Sequence, residues 1–507
     1  MSYARPGVFV EEQLSAANPN VDTASAIAVF VAAHGRGPVT PQRIDSWSDF
    51  TRRFGGFPSR TSMLPHTVFQ FLNNGGRRAH VLRVVGANSA VADLTLDDTD
   101  GSDPQTTLKI EAANPGEWGN RLNVAVNHTV DDRFDLTVRF GGTSSQHIVE
   151  TFEDLTMDPD DSRYVEKVIN HSAASSTYIV VEDLFSSNFD SELGYASVLP
   201  DPVDDDELAG GANGDTPSAS DLVEALDNLG EITQTHVLNF PGVSDETVIN
   251  GGLAYCETTK KAFLVIDTAP GTSVEDATTY ADTLSSSSYG AIYYPWVRVS
   301  DPASNSRGNT ELVPPGGAVA GIMAATDASR GVWKAPAGLA ARVSGAVALE
   351  RSFSDDDLDT LNRGAVNAIR QIPGAGVVVM GARTLRRSTI DRFVPVRRTL
   401  IFLTNALKDA TLYAAFEPND RVLWSGLQAK LTQFLTEFWQ GGGLRGSSPA
   451  EAFYVKADSS NNTPESIAAG RVNIEVGVAL QSPAEFIVIR LSQWEGGTSA
   501  NEDTPSV

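Results

Sequence analysis

The chain has 507 residues, of which 41% are hydrophobic and 20% charged, and 64 acidic against 38 basic side chains give a net charge of −26. That length exceeds one ordinary hydrophobic core and predicts two to four domains, while the composition excludes a fibrous or disordered chain. So acidic a surface repels phosphate backbones and argues against direct nucleic-acid binding.

Residues 1–22 read as a polar arm whose alternating apolar patch, Val8, Phe9 and Val10, is too short to fold alone. SAIAVFVAAHG (25–35) predicts a buried strand ended by GRGP. Ser46 and Asp49 have the spacing of a capping box for a helix over WSDFTRRF, and a second helix over MLPHTVFQFLNN stops at Gly75–Gly76. AHVLRVV (79–85) predicts another strand, so the segment reads as an α/β unit. From 88 to 207 turns crowd together and TLKIEAA, RLNVAVN, FDLTVRF and TYIVVED alternate, which predicts a mostly β, acidic insertion. Over 220–300 strands and helices alternate again, predicting a partly parallel sheet. VPPGGAVAGIMAATDASRGVWKAPAG (313–338) joins a rigid turn to a helix with almost no side-chain bulk, on which another backbone can lie closely. After Pro418–Asn419–Asp420, the residues Leu423, Leu427, Leu431, Phe434 and Phe438 recur at helical spacing and predict a stripe that packs into the core. RVNIEVGVAL and EFIVIRL alternate as strands, and a Gly/Ser/Asn tail begins near Gly496.

The chain start, MSYARPGVFVEE, lacks the apolar core of a secretory signal, and the longest apolar run, around Ala26–Ala33, is far shorter than a bilayer span. Neither membrane insertion nor export is expected, and assembly is expected in a cytoplasm. Only eight of the 38 basic residues are lysine, and this composition with its many aspartates suits either a high-salt host or ordinary solubility. No phosphate-binding loop of the G-x-x-x-x-G-K-[ST] type occurs, and GAGVVVMG (374–381) lacks dinucleotide-fingerprint spacing. His34, His66, His80, His128, His147, His171 and His236 are scattered, with no zinc-ligand pair. Cys256, the one cysteine, reads as a small buried hydrophobe. DDTDGSD (97–103) would place Leu96 and Thr107 at the first and last positions of a calcium loop, which excludes an EF-hand. DPVDDDE (201–207) and SDDDLD (354–359) read as solvated loops or helix starts. No G-x-S-x-G elbow is present. Catalytic, cofactor and metal residues are therefore none by this reading. A soluble α/β enzyme with an acidic metal site stays as a remote alternative.

The 313–338 block resembles the most recognisable segment of contractile phage tail sheath proteins. The opening Tyr3, Pro6, Gly7, Val8, Phe9, Val10 and Glu11, then NPGEWGNRLNV (114–124), LAGGANGDTP, YYPWVRVSDP, GVVVMGARTL, RFVPVRRTLIFL, FEPNDRVLW, EAFYVKAD and PAEFIVIRL follow in that family's order. The resemblance implies an α/β (α+β multidomain) fold, its sheath core built from N- and C-terminal parts, with a mostly β inserted domain and terminal strand-exchange arms. The corresponding divisions are a linking arm (1–22), an α/β domain (23–87 with 208–330), the outward-facing insertion (88–207), a C-terminal core domain (331–482), and an arm with a mobile tail (483–507). It further implies a core motif of Pro314, Pro315, Gly316, Gly321, Asp327, Arg330, Gly331, Trp333, Lys334 and Pro336. Val8, Phe9, Val10, Phe486, Ile487, Val488 and Ile489 would pair with neighbouring subunits. Arg383, Arg386, Arg397 and Arg398 would form salt bridges either within the lattice or tube contact or inside the chain. The implied activity is helical polymerisation around a tail tube and contraction without nucleotide hydrolysis. The implied partners are the chain itself, the tube, the baseplate and the tail terminator, with the virion tail as its place. A headless contractile injection system or tailocin is the alternative setting.

Overall fold

In a computed structural model of the chain, the described residues are 27–57, 62–99, 103–130, 132–171, 175–301, 309–387 and 390–485, with the backbone of the strand pair Trp494–Glu495 and Thr498–Ser499. Val8, Phe9, Val10, Phe486, Ile487, Val488 and Ile489 lie outside the described residues.

The first unit is β1 (Ile27–Ala33), β2 (Gln42–Ile44), α1 (Trp47–Phe54), α2 (Leu64–Asn73) and β3 (Ala79–Val84). Ser46 caps α1, its Oγ accepting from the Asp49 backbone N–H at 3.1 Å. The Asp49 carboxylate does not return that bond; it binds Arg52 at 2.6 Å and Arg53 at 3.1 Å on the next turn. Two cations within reach outcompete one backbone N–H for the carboxylate.

Residues 93–207 leave this unit as β4 (Asp93–Asp97), β5 (Thr106–Ala112), β6 (Leu122–Val130), β7 (Arg133–Phe140), β8 (Ile148–Leu155), α3 (Val165–His171), β9 (Ile179–Asp183) and β10 (Val203–Glu207). They make two antiparallel sheets, ordered β4-β5-β9 and β10-β6-β7-β8. Inward residues such as Ile110, Val124, Leu136, Phe152 and Val181 form a core separate from the main one. The alternation of β7, FDLTVRF, puts Phe134, Leu136 and Val138 inside, as period two requires.

The chain then returns through α4 (Ala219–Glu224), β11 (His236–Asn239), α5 (Glu246–Thr259), β12 (Ala262–Asp267), α6 (Val274–Thr283), β13 (Gly290–Tyr294), β14 (Val297–Ser300), β15 (Thr310–Val313), α7 (Gly316–Arg330), β16 (Ala346–Leu349), α8 (Asp355–Arg363), β17 (Val366–Ile372) and β18 (Gly376–Val379). Eight strands lie in the order β18-β17-β13-β12-β11-β1-β3-β2, parallel from β17 through β3. The chain winds one way from β1 to β3 and the other way from β11 to β17, a doubly wound arrangement. Helices α2 and α7 cover one face, while α5, α6 and α8 cover the other. Strands β12 and β13 are buried along their whole length, as a parallel sheet covered on both faces demands. SDDDLD is the start of α8, where Ser354 and Asp357 complete a capping box.

The last third contains α9 (Val394–Thr411), α10 (Arg421–Gln440), and the antiparallel pair β19 (Phe453–Lys456) and β20 (Glu475–Val478). Asp420 caps α10 by accepting from Val422 and Leu423 N–H at 2.9 and 3.0 Å. The buried stripe of α10 is Trp424, Leu427, Leu431, Leu435 and Phe438; Leu423 and Phe434 are half-buried flanks. At 3.6 residues per turn the i, i+3, i+4 rows diverge, and the bulky Trp424 and the axial Leu435 claim the centre.

Candidate functional site

Helix α7 is held at its start by a carboxylate. Asp267, at the end of β12 and fully buried, accepts from the Gly316 N–H at 2.8 Å, from Gly242 N–H at 3.2 Å and from the Asn239 amide at 3.1 Å. Burial with neutral donors only raises its pKa to about 6, and those hydrogen bonds oppose a further rise. Helix N-termini attract anions, and here an internal carboxylate takes that position.

Along its length α7 has glycines where α2 crosses. A Cβ on Gly317 would come 2.1 Å from the Thr67 carbonyl oxygen, and one on Gly321 would come 2.5 Å from that of Phe71. The closely approaching backbone is therefore α2 of the same chain. Pro314 and Pro315 are buried in the turn before it, and Gly316 is buried as its first residue.

At the far end Asp327 meets Arg398 of α9 in a two-pronged pair, Nη1–Oδ1 2.9 Å and Nη2–Oδ2 2.5 Å, with both side chains at most 5% exposed. Its neighbour Arg397 binds Asp391 at 2.7 Å, stacks its guanidinium 4.5 Å from the Tyr289 ring centroid and donates to the Tyr289 hydroxyl. Arg386 approaches Asp391 at 3.8 Å, and Arg383 binds Glu485. Of the two alternatives the sequence left open for Arg397 and Arg398, the pairs seen in the subunit are within the chain. The first turns of α9 are buried, and a buried guanidinium without a carboxylate would cost several kcal/mol, of order 3–5. Gly331 ends α7 with φ 89° and its N–H bonded to Asp327 O. Trp333 stands edge-on to Phe438 of α10 at 4.7 Å, Lys334 donates to Ala335 O at 3.0 Å, Pro336 is buried and Arg330 is exposed. Thus the block 313–338 joins the large sheet to the α9–α10 pair.

A second junction was not singled out in the sequence. Arg36, in the GRGP turn, lies over the rings of Trp118, Phe140 and Tyr178 at 4.7, 5.0 and 4.4 Å and donates to Arg52 O. Arg83 on β3, almost wholly buried, donates to the carbonyls of His34, Gly37 and Pro115 at 2.6, 2.9 and 2.7 Å. Burial lowers the Arg83 pKa to about 10 and that of His34 to about 4. These two arginines tie the insertion to the main sheet, and Trp118 of NPGEWGN is a wall of the aromatic cage. The legible signal was a charged residue, Arg83, among the apolar Val81, Leu82 and Val84 of β3.

Residues 215–385 match the family profile described as phage tail sheath protein central domain, and 391–493 match the phage tail sheath C-terminal domain. The chain belongs to the phage tail sheath protein family. The Asp327–Arg398 pair thus spans the two domains that define a sheath protein. The tail sheath protein of Vibrio phage KVP40 is 27% identical over 265 residues, covering 50% of this chain and 36% of that protein, so the match spans about a third of the relative's length. The fold is that of solved sheath chains. A sheath chain of an extracellular contractile injection system, in the contracted PVC sheath complex, superposes with TM-score 0.59 at 22% identity over 97% of this chain and 98% of the other. The sheath tail protein of Listeria innocua superposes with TM-score 0.61 at 14% identity over 87% and 90%.

Proposed function

We propose that this chain is the structural subunit of a contractile sheath, which polymerises helically around a tail tube and contracts to drive the tube through a target envelope. Membership of the sheath family supports this reading, and one structural observation carries it. Strands β19 and β20 form a sheet of only two strands, with no third strand among the described residues. The pair packs on Leu431 and Leu435 of α10, and the edges of so narrow a sheet accept further strands. The alternating segments Val8–Val10 and Phe486–Ile489, donated by neighbouring copies, complete that sheet and link the subunits into a mesh. Such contacts are heterologous, so growth along the axis does not close. The same backbone bonds persist while the bodies rotate, and the energy resides in a metastable extended lattice, with no nucleotide hydrolysis. The tube, baseplate and tail terminator are the partners of this assembly, and the acidic insertion 88–207 faces outward from it.

A second reading, the sheath of a headless contractile injection system or tailocin, is supported by the end-to-end correspondence with an injection-system sheath chain, against a third of the Vibrio phage protein. Negative-stain electron microscopy tests the proposal. The protein alone or with its tube is expected to form striated hollow cylinders of uniform width, and deletion of residues 1–15 is expected to leave soluble monomers. Small closed rings with the tube present refute the sheath reading, and normal cylinders from the deletion variant refute the arm.

A further inference from the structure

After β20 the chain runs back from the C-terminal helices to the large sheet. Leu480 bridges to Leu444 and packs on the cluster around Phe402 and Phe438, and the Gln481 amide donates to Leu444 O at 2.6 Å. The next attachment is Glu485, gripped by Arg383 through Nε at 2.9 Å and Nη2 at 2.5 Å. Arg383 is preset. Its backbone N–H and carbonyl are both bound by the buried Asn367 side chain at 2.7 Å, and its Nη1 donates to Asn362 O at 3.0 Å. Its N–H donors therefore stand in place whether or not Glu485 is there, and the glutamate is the movable member. Both side chains of the pair are 21% exposed, so water can replace either partner.

We propose that Arg383–Glu485 is a clasp at the root of the C-terminal arm, closed in the free subunit and opened on joining the lattice to lengthen the linker. Residues 482–484 lie between the Leu444 attachment and the clasp. Opening frees these three and Glu485 itself, about 13 Å of extended chain at roughly 3.3 Å each. A strand shared between subunits needs such slack if its donor and acceptor are to move relative to one another. The inference rests on the sheath reading above, because only a shared arm makes slack useful.

The sign of one effect decides it. If assembly opens the clasp, Glu485→Ala removes a bond that polymerisation must break. The threshold concentration for sheath formation with the tube protein then falls roughly two- to fivefold, the factor corresponding to an ion pair of ~0.5–1 kcal/mol. The exchanged pair Arg383→Glu with Glu485→Arg restores the wild-type threshold. An unchanged or raised threshold for Glu485→Ala makes the pair a static brace and overturns the clasp. So does a lowered threshold that the exchanged pair fails to restore, since the effect would then be one of arm charge. Wild-type protein is the reference in each series, and its failure to form sheaths at all would remove the sheath reading and the clasp together.

Discussion

Two carboxylates at opposite ends of α7 behave in contrasting ways. Asp327 is paired with a guanidinium, so Arg398→Ala removes a buried two-pronged ion pair at the joint between the central and C-terminal domains. A loss of about 3–5 kcal/mol is expected, read from the denaturant midpoint. Asp267 has no cation partner among the described residues, and burial raises its pKa from the ordinary 3.8 to about 6. A carboxylate raised in this way contributes stability fully below its unfolded pKa and loses that contribution as pH rises through about 6. The amount is about 3 kcal/mol across that window. His34 and His236, whose pKa values burial lowers to about 4, act in the opposite sense as pH falls below 6.5. The informative quantity is therefore the wild-type minus Asp267→Asn difference in unfolding free energy. It should fall between pH 4 and 7 as the wild type alone loses stability, and a flat difference would show that Asp267 does not titrate there.

At the scale of elements, the α2–α7 crossing is set by glycine. Gly321→Val places side-chain atoms where the Phe71 carbonyl already lies, and neither helix can retreat without opening the sheet face beneath. A destabilisation of about 1–3 kcal/mol or more from overpacking is expected, visible as a lowered thermal midpoint. Val319→Ala on the same helix removes buried volume without a clash and serves as the comparison. The glycine and alanine pattern of this helix was readable in the sequence, and so was the need for a close partner. That the partner is α2, some 250 residues earlier in the chain, was not readable, because a smooth helix face does not say which backbone covers it. The same holds for Arg397 and Arg398, adjacent in sequence and exposed or buried according to what packs on the start of α9.

For the molecule as a whole, charge is unevenly placed. Residues 88–207 contain 26 of the 64 acidic side chains and 6 of the 38 basic ones, so −20 of the net −26 resides in the insertion. In the proposed lattice, copies brought side by side would repel one another through these domains, over a Debye length of ~10 Å at 0.1 M salt. The threshold concentration for assembly is therefore expected to fall as salt rises from about 0.05 to 0.5 M. Replacing Asp204, Asp205 and Asp206 with asparagine should make that dependence shallower, measured by sedimentation of polymer. An assembly independent of salt would show that the insertions stand too far apart to interact.

The sequence by itself determined the local periodicities: the buried parallel strands, the alternating strands of the insertion, the capped starts of α1 and α10, and the motif order that marks a sheath protein. These depend on neighbours a few residues away, where steric and hydrogen-bonding preferences are strong. Only the tertiary structure decided which charges are internal. The partners of Arg398, Arg83, Arg36 and Asp267 come from distant segments, and a charged side chain becomes either an ion pair, a carbonyl tie or a buried lone carboxylate according to what folds over it.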